Sequence, residues 1–179
     1  MLRIVPAIAS LQQHLDTLDR RPELYRPPRC PHCGLNVLWG HGCYERKADR
    51  DRSSDGVLNP IPIPRFFCQG CRHTCSRLPE CIAPRRWYGW VVQQLALQLL
   101  LVGCSLQRCS AWVGLDRRTV RRWWQWLKTR SDEFAFVLRS RLAALGRAVD
   151  FRSFWCQCLE RLTLGEAMGW LDRNGVVVP

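Results

Sequence analysis

Two pairs of cysteines constrain the fold of this chain more than any other feature of its sequence. Each pair, Cys30 with Cys33 and Cys68 with Cys71, is separated by two residues. A two-residue spacer lets both thiolates of one turn face the same ion, and two such turns complete the four-sulfur tetrahedron that is typical of structural zinc. The sequence therefore predicts one structural Zn²⁺, bound by Cys30, Cys33, Cys68 and Cys71.

The segment between the pairs predicts an extended hairpin. It holds 34 residues, more than the usual spacing of about 15–20 for this motif. Two short apolar runs, Leu35–Trp39 and Ile61–Phe67, flank the polar stretch Asp49–Gly56, which is the pattern of antiparallel strands joined by a turn. We expect a small zinc ribbon over residues 30–84, with a glycine in or after each turn to relieve the backbone where φ is positive.

The other cysteines are interpreted as packing residues. The chain has 11 cysteines, and an odd number without an export signal disfavours a disulfide scaffold. Reduced structural thiols and a redox C-x-x-C are the alternatives for the two pairs. Exchange of one ligand stays open for the residues close to the pairs in sequence, which are Cys43, Cys75, Cys81, His32, His41 and His73. We expect core thiols at Cys104, Cys109, Cys156 and Cys158.

The positive charge is concentrated in the middle of the chain. The net charge is +12, and residues 85–130 carry 9 basic residues against 1 acidic residue. Such a patch favours a polyanionic partner, either nucleic acid or an anionic membrane. The most apolar stretch, Trp90–Gly103, is interrupted by glutamines and is shorter than the roughly 18 residues of a membrane span. We therefore expect a buried helix there, no membrane partner, and a cytoplasmic protein that is nucleoid-associated when bound to DNA.

Residues 104–124 fit a helix-turn-helix. Ser105 can cap a first helix, Gly114 can end it in the left-handed conformation, and Asp116 can cap the second helix. Ser110 is a small residue where two helices would cross. Within the second helix, the predicted buried positions are Val120, Trp123, Trp124 and Leu127.

The opposite side of this second helix is predicted to contact double-stranded DNA. Arginine there can pair with guanine edges in the major groove and with phosphates. The expected contacts are Arg117, Arg118, Thr119, Arg121, Arg122 and Gln125. The alternative is an ordinary amphipathic helix pair with a solvated arginine face. The tryptophans of this region are predicted to form the core of a three-helix bundle, namely Trp87, Trp90, Trp112, Trp123, Trp124 and Trp126, with Trp126 off the main buried stripe.

The two ends of the chain are predicted to be helical. In the lead-in, residues 1–29, Ser10 can cap a helix that carries Leu11, Leu15 and Leu18 and ends before Pro22. Residues 131–146 predict a packing or dimerising helix, which leaves a homodimer as one arrangement. Its apolar stripe comprises Phe134, Val137 or Leu138, and Leu142. The predicted organisation is a lead-in over 1–29, a ribbon over 30–84, a helix-turn-helix over 85–130 and a helical extension over 131–179.

Several motifs follow one another in the order of a known family. They are Cys30-Pro31-His32-Cys33-Gly34, His41-Gly42-Cys43-Tyr44-Glu45-Arg46, Ile61-Pro62-Ile63-Pro64-Arg65-Phe66-Phe67-Cys68 through Cys71, Ser76-Arg77-Leu78-Pro79 and Ala83-Pro84-Arg85-Arg86-Trp87-Tyr88. Over roughly residues 25–130 the chain resembles the zinc-ribbon plus helix-turn-helix N-terminal region of insertion-sequence transposases, and stand-alone transposon-associated proteins of unknown function. In such sequences an aromatic residue usually stands at the position of Cys75, which supports packing for that thiol.

The chain departs from those transposases where their catalytic domain would follow. No strand pattern in residues 131–179 would gather three of its carboxylates onto metal ions; these are Asp132, Glu133, Asp150, Glu160, Glu166 and Asp172. We therefore expect an α+β protein, not an enzyme and without a small-molecule substrate, that binds DNA with the help of zinc and is associated with a mobile element. The alternatives are a zinc-ribbon protein–protein adaptor or transcriptional regulator, and a truncated transposase remnant.

Overall fold

The structure, a computed structural model, describes residues 3–47, 60–84 and 88–178. The chain divides into two compact units, the first made of Met1–Gly89 with Val177–Pro179 and the second of Trp90–Val176. The fold is mixed α+β, as predicted, with small sheets in the first unit and five of its α-helices in the second. Within the described ranges, no helix combines the length and apolar character needed to cross a membrane.

The first unit contains two small sheets and one α-helix. Its elements are β1 (Ile4–Val5), α1 (Leu11–Arg20), a 3-10 turn (Pro22–Tyr25), β2 (Leu38–Arg46), β3 (Ile61–Cys68), β4 (Thr74–Cys75) and β5 (Leu78–Pro79). β2, β3 and β4 form an antiparallel sheet in that order, and β1 pairs in parallel with β5. The two predicted strands are confirmed, although β2 begins at Leu38 rather than Leu35. The turn expected at Asp49–Gly56 lies outside the described residues.

The two faces of the β2–β3–β4 sheet are covered differently. Side chains alternate between faces along a strand. Phe66 and Cys68 of β3 pack in a cluster that also contains Val5, Ile8, Tyr25, Cys30, Leu38 and Cys75. Ile61 and Ile63, of opposite parity, pack with Leu78 and Ile82. The second face is thus covered at the Ile61 end of β3, whereas Phe67 on the same face is only half-buried.

The N-terminal segment belongs to the core of the first unit. Ser10 caps α1 by accepting from the N–H of Gln13, and the helix ends at Arg20 ahead of Pro22, as predicted. The fully buried side chain of this helix is His14, whereas Leu11, Leu15 and Leu18 are half-buried.

His14 is held neutral by its partners. Its Nε2 lies 2.9 Å from the carbonyl oxygen of Pro62, so Nε2 is the protonated nitrogen and donates. Its Nδ1 therefore accepts from the hydroxyl of buried Tyr25, at 2.5 Å. Burial lowers the pKa of His14, against the opposing effect of the bond to Pro62, and burial likewise raises the pKa of Tyr25.

The second unit is a helical bundle. Its elements are α2 (Trp90–Leu101), α3 (Leu106–Val113), α4 (Arg117–Arg141), a 3-10 turn (Ala143–Arg147), α5 (Phe151–Arg161) and α6 (Leu164–Arg173). α2, α3 and α4 pack against one another, and α5 and α6 pack on α2 and α4. The helix predicted over 131–146 is the second half of α4, and it ends at Arg141 rather than at residue 146.

α4 supplies the centre of this core. Its buried side chains include Val120, Trp123, Leu127, Phe134 and Leu138. The sequence placed Trp124 in the buried stripe with Trp123 beside it. In the structure Trp123 is 1% exposed and Trp124 is only half-buried, because the stripe continues to Leu127 at a spacing of four from Trp123.

The stripe through Phe134 and Leu138 packs inside the monomer, so these two residues are not a dimer surface.

A polar contact fixes α5 against α4 inside this core. The indole N–H of Trp155 donates to the hydroxyl of buried Ser131, at 3.0 Å. Phe134 meets the ring of Trp155 edge to face.

α2 corrects another expectation. The sequence predicted a buried helix, and Leu97 and Leu100 are buried. Yet Val91 is 81% exposed, Val102 is 75% exposed and Leu95 is 49% exposed. The helix has no charged residue that would mark its solvent side. Its apolar composition therefore does not indicate which side faces the core.

The state of His14 predicts a pH dependence of stability. Its pKa in the folded protein lies below the ordinary value near 6.5, so its contribution is complete above that value and is lost as the pH falls below it. We expect the free energy of unfolding of the wild type to fall between pH 6.5 and 5, relative to His14→Gln, by up to about 1.4 kcal/mol per pH unit. Chemical denaturation of both proteins across this range is the measurement. Parallel pH profiles of the two proteins would contradict the lowered pKa of His14. Because both proteins contain the same cysteines, the titration of the thiols cancels in the difference between them.

Candidate metal centre and arginine face

The two C-x-x-C turns have the same backbone architecture. In the first turn, Cys30–Gly34, the N–H of Gly34 donates to the carbonyl of Cys30, and the N–H of Cys30 donates to the carbonyl of Leu35, both at 2.8 Å. The second turn, Cys68–Arg72, repeats both bonds at the corresponding positions, at 2.8 and 2.9 Å. We call these turns the first and second knuckle. Their identical bonds give both cysteine pairs the same local conformation.

The knuckles bring the four predicted ligands together. The Sγ atoms of Cys30 and Cys71 are 3.6 Å apart, as are those of Cys33 and Cys68. All four sulfurs lie within 4.8 Å of one another. A tetrahedron with metal–sulfur bonds of about 2.3 Å has edges of about 3.8 Å, whereas a disulfide needs a separation of about 2.05 Å. The cluster therefore fits a metal ion and does not fit disulfide pairing.

The protonation of the four thiols also favours a cation. Burial opposes ionisation of Cys30, yet the N–H groups of Cys33 and His32 and the thiols of Cys68 and Cys71 lower its pKa to about 6. For Cys71 the N–H of His73 acts in the lowering direction, but burial and the three neighbouring sulfurs raise its pKa to about 12. One thiolate thus forms readily, and the raised pKa values of Cys33 and Cys71 oppose further ionisation beside it. A bound cation removes that repulsion, and its binding releases protons.

The residues left open as substitute ligands lie outside the four-sulfur group. Cys43 is exposed, Cys75 is buried in the core beside Cys30, and Cys81 is half-buried. Burial raises the pKa of Cys75, and it raises that of Cys81 to about 11. These two thiols therefore behave as small apolar side chains, as predicted.

The nearby histidines are engaged with one another or with β3. The rings of His32 and His73 stack at a centroid distance of 4.6 Å, and the ring of His41 lies 5.7 Å from that of Phe67.

The turn between α3 and α4 is built by the predicted caps. The hydroxyl of Ser105 accepts from the N–H of Arg108, Gly114 ends α3 with φ of 66°, and Asp116 accepts from the N–H of Arg118 at 2.7 Å.

Ser110 has a more specific role than a small residue at a helix crossing. Its hydroxyl donates to the carbonyl of Leu115 at 2.5 Å, and its own carbonyl accepts from the N–H groups of Gly114 and Leu115. These bonds fix the turn that orients α4.

The predicted DNA contacts share one end of α4. Arg117, Arg118, Arg121, Arg122 and Gln125 are exposed, and Thr119 is half-buried. Thr119 accepts a long hydrogen bond of 3.5 Å from Arg122. In the part of the chain that the structure describes, none of these four arginines forms an ion pair. We call this group of four arginines the arginine face.

The arginine face opposes the stability of its own helix. α4 has no acidic residue in its first turn, and positive charge at a helix N-terminus is unfavourable to the helix dipole. Arg117 with Arg121, and Arg118 with Arg122, are also like-charge pairs at a spacing of four, which costs about 0.2–0.5 kcal/mol each. Apart from the long bond from Arg122 to Thr119, these side chains therefore add little to the stability of the folded chain.

Trp112 is a surface residue that the sequence assigned to the core. It is 64% exposed, and the guanidinium of Arg108 lies 5.5 Å from its ring centroid. α3 has only eight residues, and its inward side consists of Cys109 with half-buried Leu106, Ser110 and Val113. Trp112 lies about a third of a turn from the centre of that side. Neither the composition nor the spacing of the tryptophans indicated that Trp112 is exposed. Trp87, which was assigned to the same core, lies outside the described residues.

One protein family matches this region of the chain. Residues 30–123 match the model of a domain of unknown function, DUF6431. The matched range begins at Cys30 and covers both knuckles, the α3–α4 turn and the arginine face. No curated protein and no solved structure matches the chain.

The four-sulfur group predicts the metal content of variants. We expect one metal ion per chain, lost in Cys30→Ser and retained in Cys43→Ser, since only Cys30 belongs to the group. Native mass spectrometry, compared with the acid-denatured mass, measures this ratio. Loss of metal in both variants, or in neither, would contradict the ligand set.

The knuckles also predict unequal effects of two glycine substitutions. Gly34 has φ of 74°, so Gly34→Ala should lower the free energy of unfolding by about 1–2 kcal/mol. A Cβ at Gly70 would come within 2.6 Å of a methyl carbon of Leu35, but this half-exposed side chain can rotate away. Gly70→Ala should therefore cost less than about 0.5 kcal/mol. Denaturant unfolding of the metal-loaded variants compares them, and equal losses would refute this account.

Proposed function

Because the chain belongs to the DUF6431 family, a domain of unknown function, we propose its function from its own residues: zinc-dependent, non-enzymatic binding of double-stranded DNA. The arginine face carries this proposal. Four arginines within six residues, exposed, without ion pairs among the described residues and unfavourable to their own helix, are explained by an anionic partner.

Zinc is the proposed metal because the four donors are all thiolates in a tetrahedral arrangement. Closed four-cysteine sites are typical of structural zinc. When bound, the ion supplies a cross-link and no open coordination position for chemistry. Cys30, Cys33, Cys68 and Cys71 would hold it between the two knuckles. Binding of the ion then contributes directly to the folding of the first unit.

The shape of the α3–α4 pair supports insertion into the major groove. A recognition helix presents its N-terminal residues to base edges, while the preceding helix meets the DNA backbone. In the proposed complex Arg121, Arg122 and Gln125 reach bases. Arg117, Arg118 and Thr119 contact phosphates beside the start of the helix. Arg108 and Trp112, both exposed on α3, are added as backbone contacts.

The carboxylates of the C-terminal region support a non-enzymatic role. Asp150 caps α5, and the N–H groups of Ser153 and Arg152 lower the pKa of its carboxyl. Thr163 caps α6, and its N–H and hydroxyl donate to Glu166 and lower the pKa of that carboxyl. Glu133 pairs with Arg130 at 2.6 Å. These three acids are engaged in holding helices. The resemblance to insertion-sequence transposases supports a role with a mobile element, on DNA in the cytoplasm.

A second candidate function is a protein–protein adaptor. One observation favours it, namely the exposed apolar residues Val91 and Leu95 on the uncharged helix α2, with Val102 just beyond its end. The two functions differ in their dependence on salt. DNA binding through arginines releases counterions and weakens steeply as salt rises, whereas contact through an apolar helix face does not.

The arginine face predicts the effect of a double substitution. We expect Arg121→Ala with Arg122→Ala to weaken binding to duplex DNA at least about tenfold, because two charge-assisted contacts are lost. The slope of log affinity against log salt should change little, because Arg117 and Arg118, which contact phosphates in the proposed complex, are retained. Fluorescence anisotropy with labelled random-sequence duplexes measures both quantities.

The matched control for this experiment is Arg147→Ala. Arg147 is exposed on the 3-10 turn after α4, so its removal takes one charge away without touching the arginine face. Duplex affinity should remain as in the wild type. No affinity of the wild type for duplex DNA at low salt would refute the proposed function. An equal loss of duplex affinity in Arg147→Ala would show that the effect depends only on net charge.

A further inference from the structure

The sheet of the first unit has an open face beside the knuckles. Phe67 lies on the same side of β3 as Ile61 and Ile63, but the cluster that covers those two residues does not extend to it. Trp39 pairs with Phe67 across β2 and β3 and is 58% exposed. A large aromatic side chain on an uncovered sheet face contributes little to the folding of the unit, since most of its surface remains in water.

The residues next to Trp39 on this side of the sheet are mostly exposed. The ring of His41 lies 5.7 Å from that of Phe67, which is itself opposite Trp39. On the other side, Leu35 and Val37 both lie over Gly70, where a Cβ would meet them at 2.6 and 3.5 Å. We call these five residues, Leu35, Val37, Trp39, His41 and Phe67, the aromatic strip.

A β-bulge and an absent side chain create this strip. The register between β2 and β3 shifts between Gly40 and Cys43, which places His41 in the bulge with its side chain exposed. Gly70, without a Cβ, leaves room for the side chains of Leu35 and Val37 on the second knuckle. From the sequence, His41 was considered as a potential substitute metal ligand.

Two arginines adjoin the strip, Arg65 on β3 and Arg72 on the second knuckle. Arg72 is exposed on the second knuckle, and the guanidinium of Arg65, next to Phe67 on the same side of β3, lies 5.4 Å from the ring centroid of Tyr44. Such surroundings complement a polyanion and oppose a second copy of this positively charged chain.

We propose that the aromatic strip binds unpaired nucleotides of single-stranded DNA, with a base stacked on Trp39 and phosphates held by Arg65 and Arg72. Unpaired bases expose their faces to an aromatic platform, whereas bases in a duplex cover theirs by stacking on one another. An acidic peptide would satisfy the charge but would leave the aromatic surface without a planar partner. The inference rests on the proposed function only in the choice of DNA over RNA.

Substitution of Trp39 tests this surface directly. The probe is a labelled oligothymidine, which remains single-stranded, and binding is followed by fluorescence anisotropy with the full zinc-loaded chain. We expect Trp39→Ala to weaken oligothymidine binding at least about fivefold, and Trp39→Phe to retain most of the affinity, because a ring still stacks. Binding to duplex DNA should be unchanged in both variants. Circular dichroism and metal content confirm that each variant is folded.

Phe136→Ala provides the matched control. Phe136 is an aromatic residue of α4 that is 80% exposed and lies outside both the strip and the arginine face. Its removal should leave oligothymidine and duplex affinities unchanged. The variant with Arg121 and Arg122 replaced by alanine should lose duplex binding while keeping oligothymidine binding. Oligothymidine binding that depends on Trp39, without any duplex binding, would refute the proposed function and leave the strip as a single-strand site.

Three outcomes would overturn the inference. The first is oligothymidine binding by Trp39→Ala equal to that of the wild type, or no binding by the wild type. The second is competition by poly-glutamate as effective as competition by unlabelled oligothymidine at equal charge, which would make the strip a site for any polyanion. The third is tighter binding of oligouridine than of oligothymidine, which would assign the strip to RNA.

Discussion

The junction of four sulfurs is the constraint on which the first unit depends. It joins two knuckles that are 34 residues apart in sequence, and the hairpin between them pairs β2 with β3. A metal ion bound by the four sulfurs would cross-link a loop of this length and remove about 4 kcal/mol of chain entropy from the unfolded state. The unit otherwise has two modest clusters of buried side chains. Because Cys30 and Cys68 belong to one of these clusters, the geometry of the metal ligands and the packing of the core constrain each other.

The second unit separates core packing from exposed positive charge along one helix. The inward side of α4 packs Trp123, Leu127, Phe134 and Leu138 against the other helices. That packing is extensive enough to hold the helix in place while its first turns carry a run of unpaired positive charge. The hydrogen bonds of Ser110 and the cap at Asp116 then set the direction in which the charge points. The arginine face is therefore presented by a rigid support, although its own residues weaken the helix.

The accuracy of the sequence interpretation depended on how local each signal was. Ser10, Ser105, Gly114 and Asp116 were identified as caps because each acts within four residues of its own position. The second knuckle shows the limit of such reasoning. The residue with positive φ is Arg72, at the position equivalent to Gly34, whereas Gly70 is needed for the close approach of Leu35. A glycine in a turn can provide either a positive φ or space for a neighbouring side chain, and the sequence does not indicate which.

Aromatic and titratable residues were the least readable from the sequence. Trp112 and Trp123 lie in the same helix-rich segment, yet one is on the surface and the other is in the core. His14 lies on a helix with an apparent leucine stripe, but it is the buried residue because Tyr25 and Pro62 supply partners for both of its ring nitrogens. Trp39 gave no signal of its exposure, since Phe67, its cross-strand neighbour on the open face, comes from a different strand.

By itself, the sequence determined the cysteine set, the helix caps, the turn and the spacing of the arginines along α4. These features depend on residue type and separation along the chain, which the sequence states directly. The tertiary structure alone decided which apolar and aromatic side chains are covered and which face of the sheet is open. The physical reason is that burial is a property of the neighbours, and those neighbours are supplied by segments far apart in the sequence.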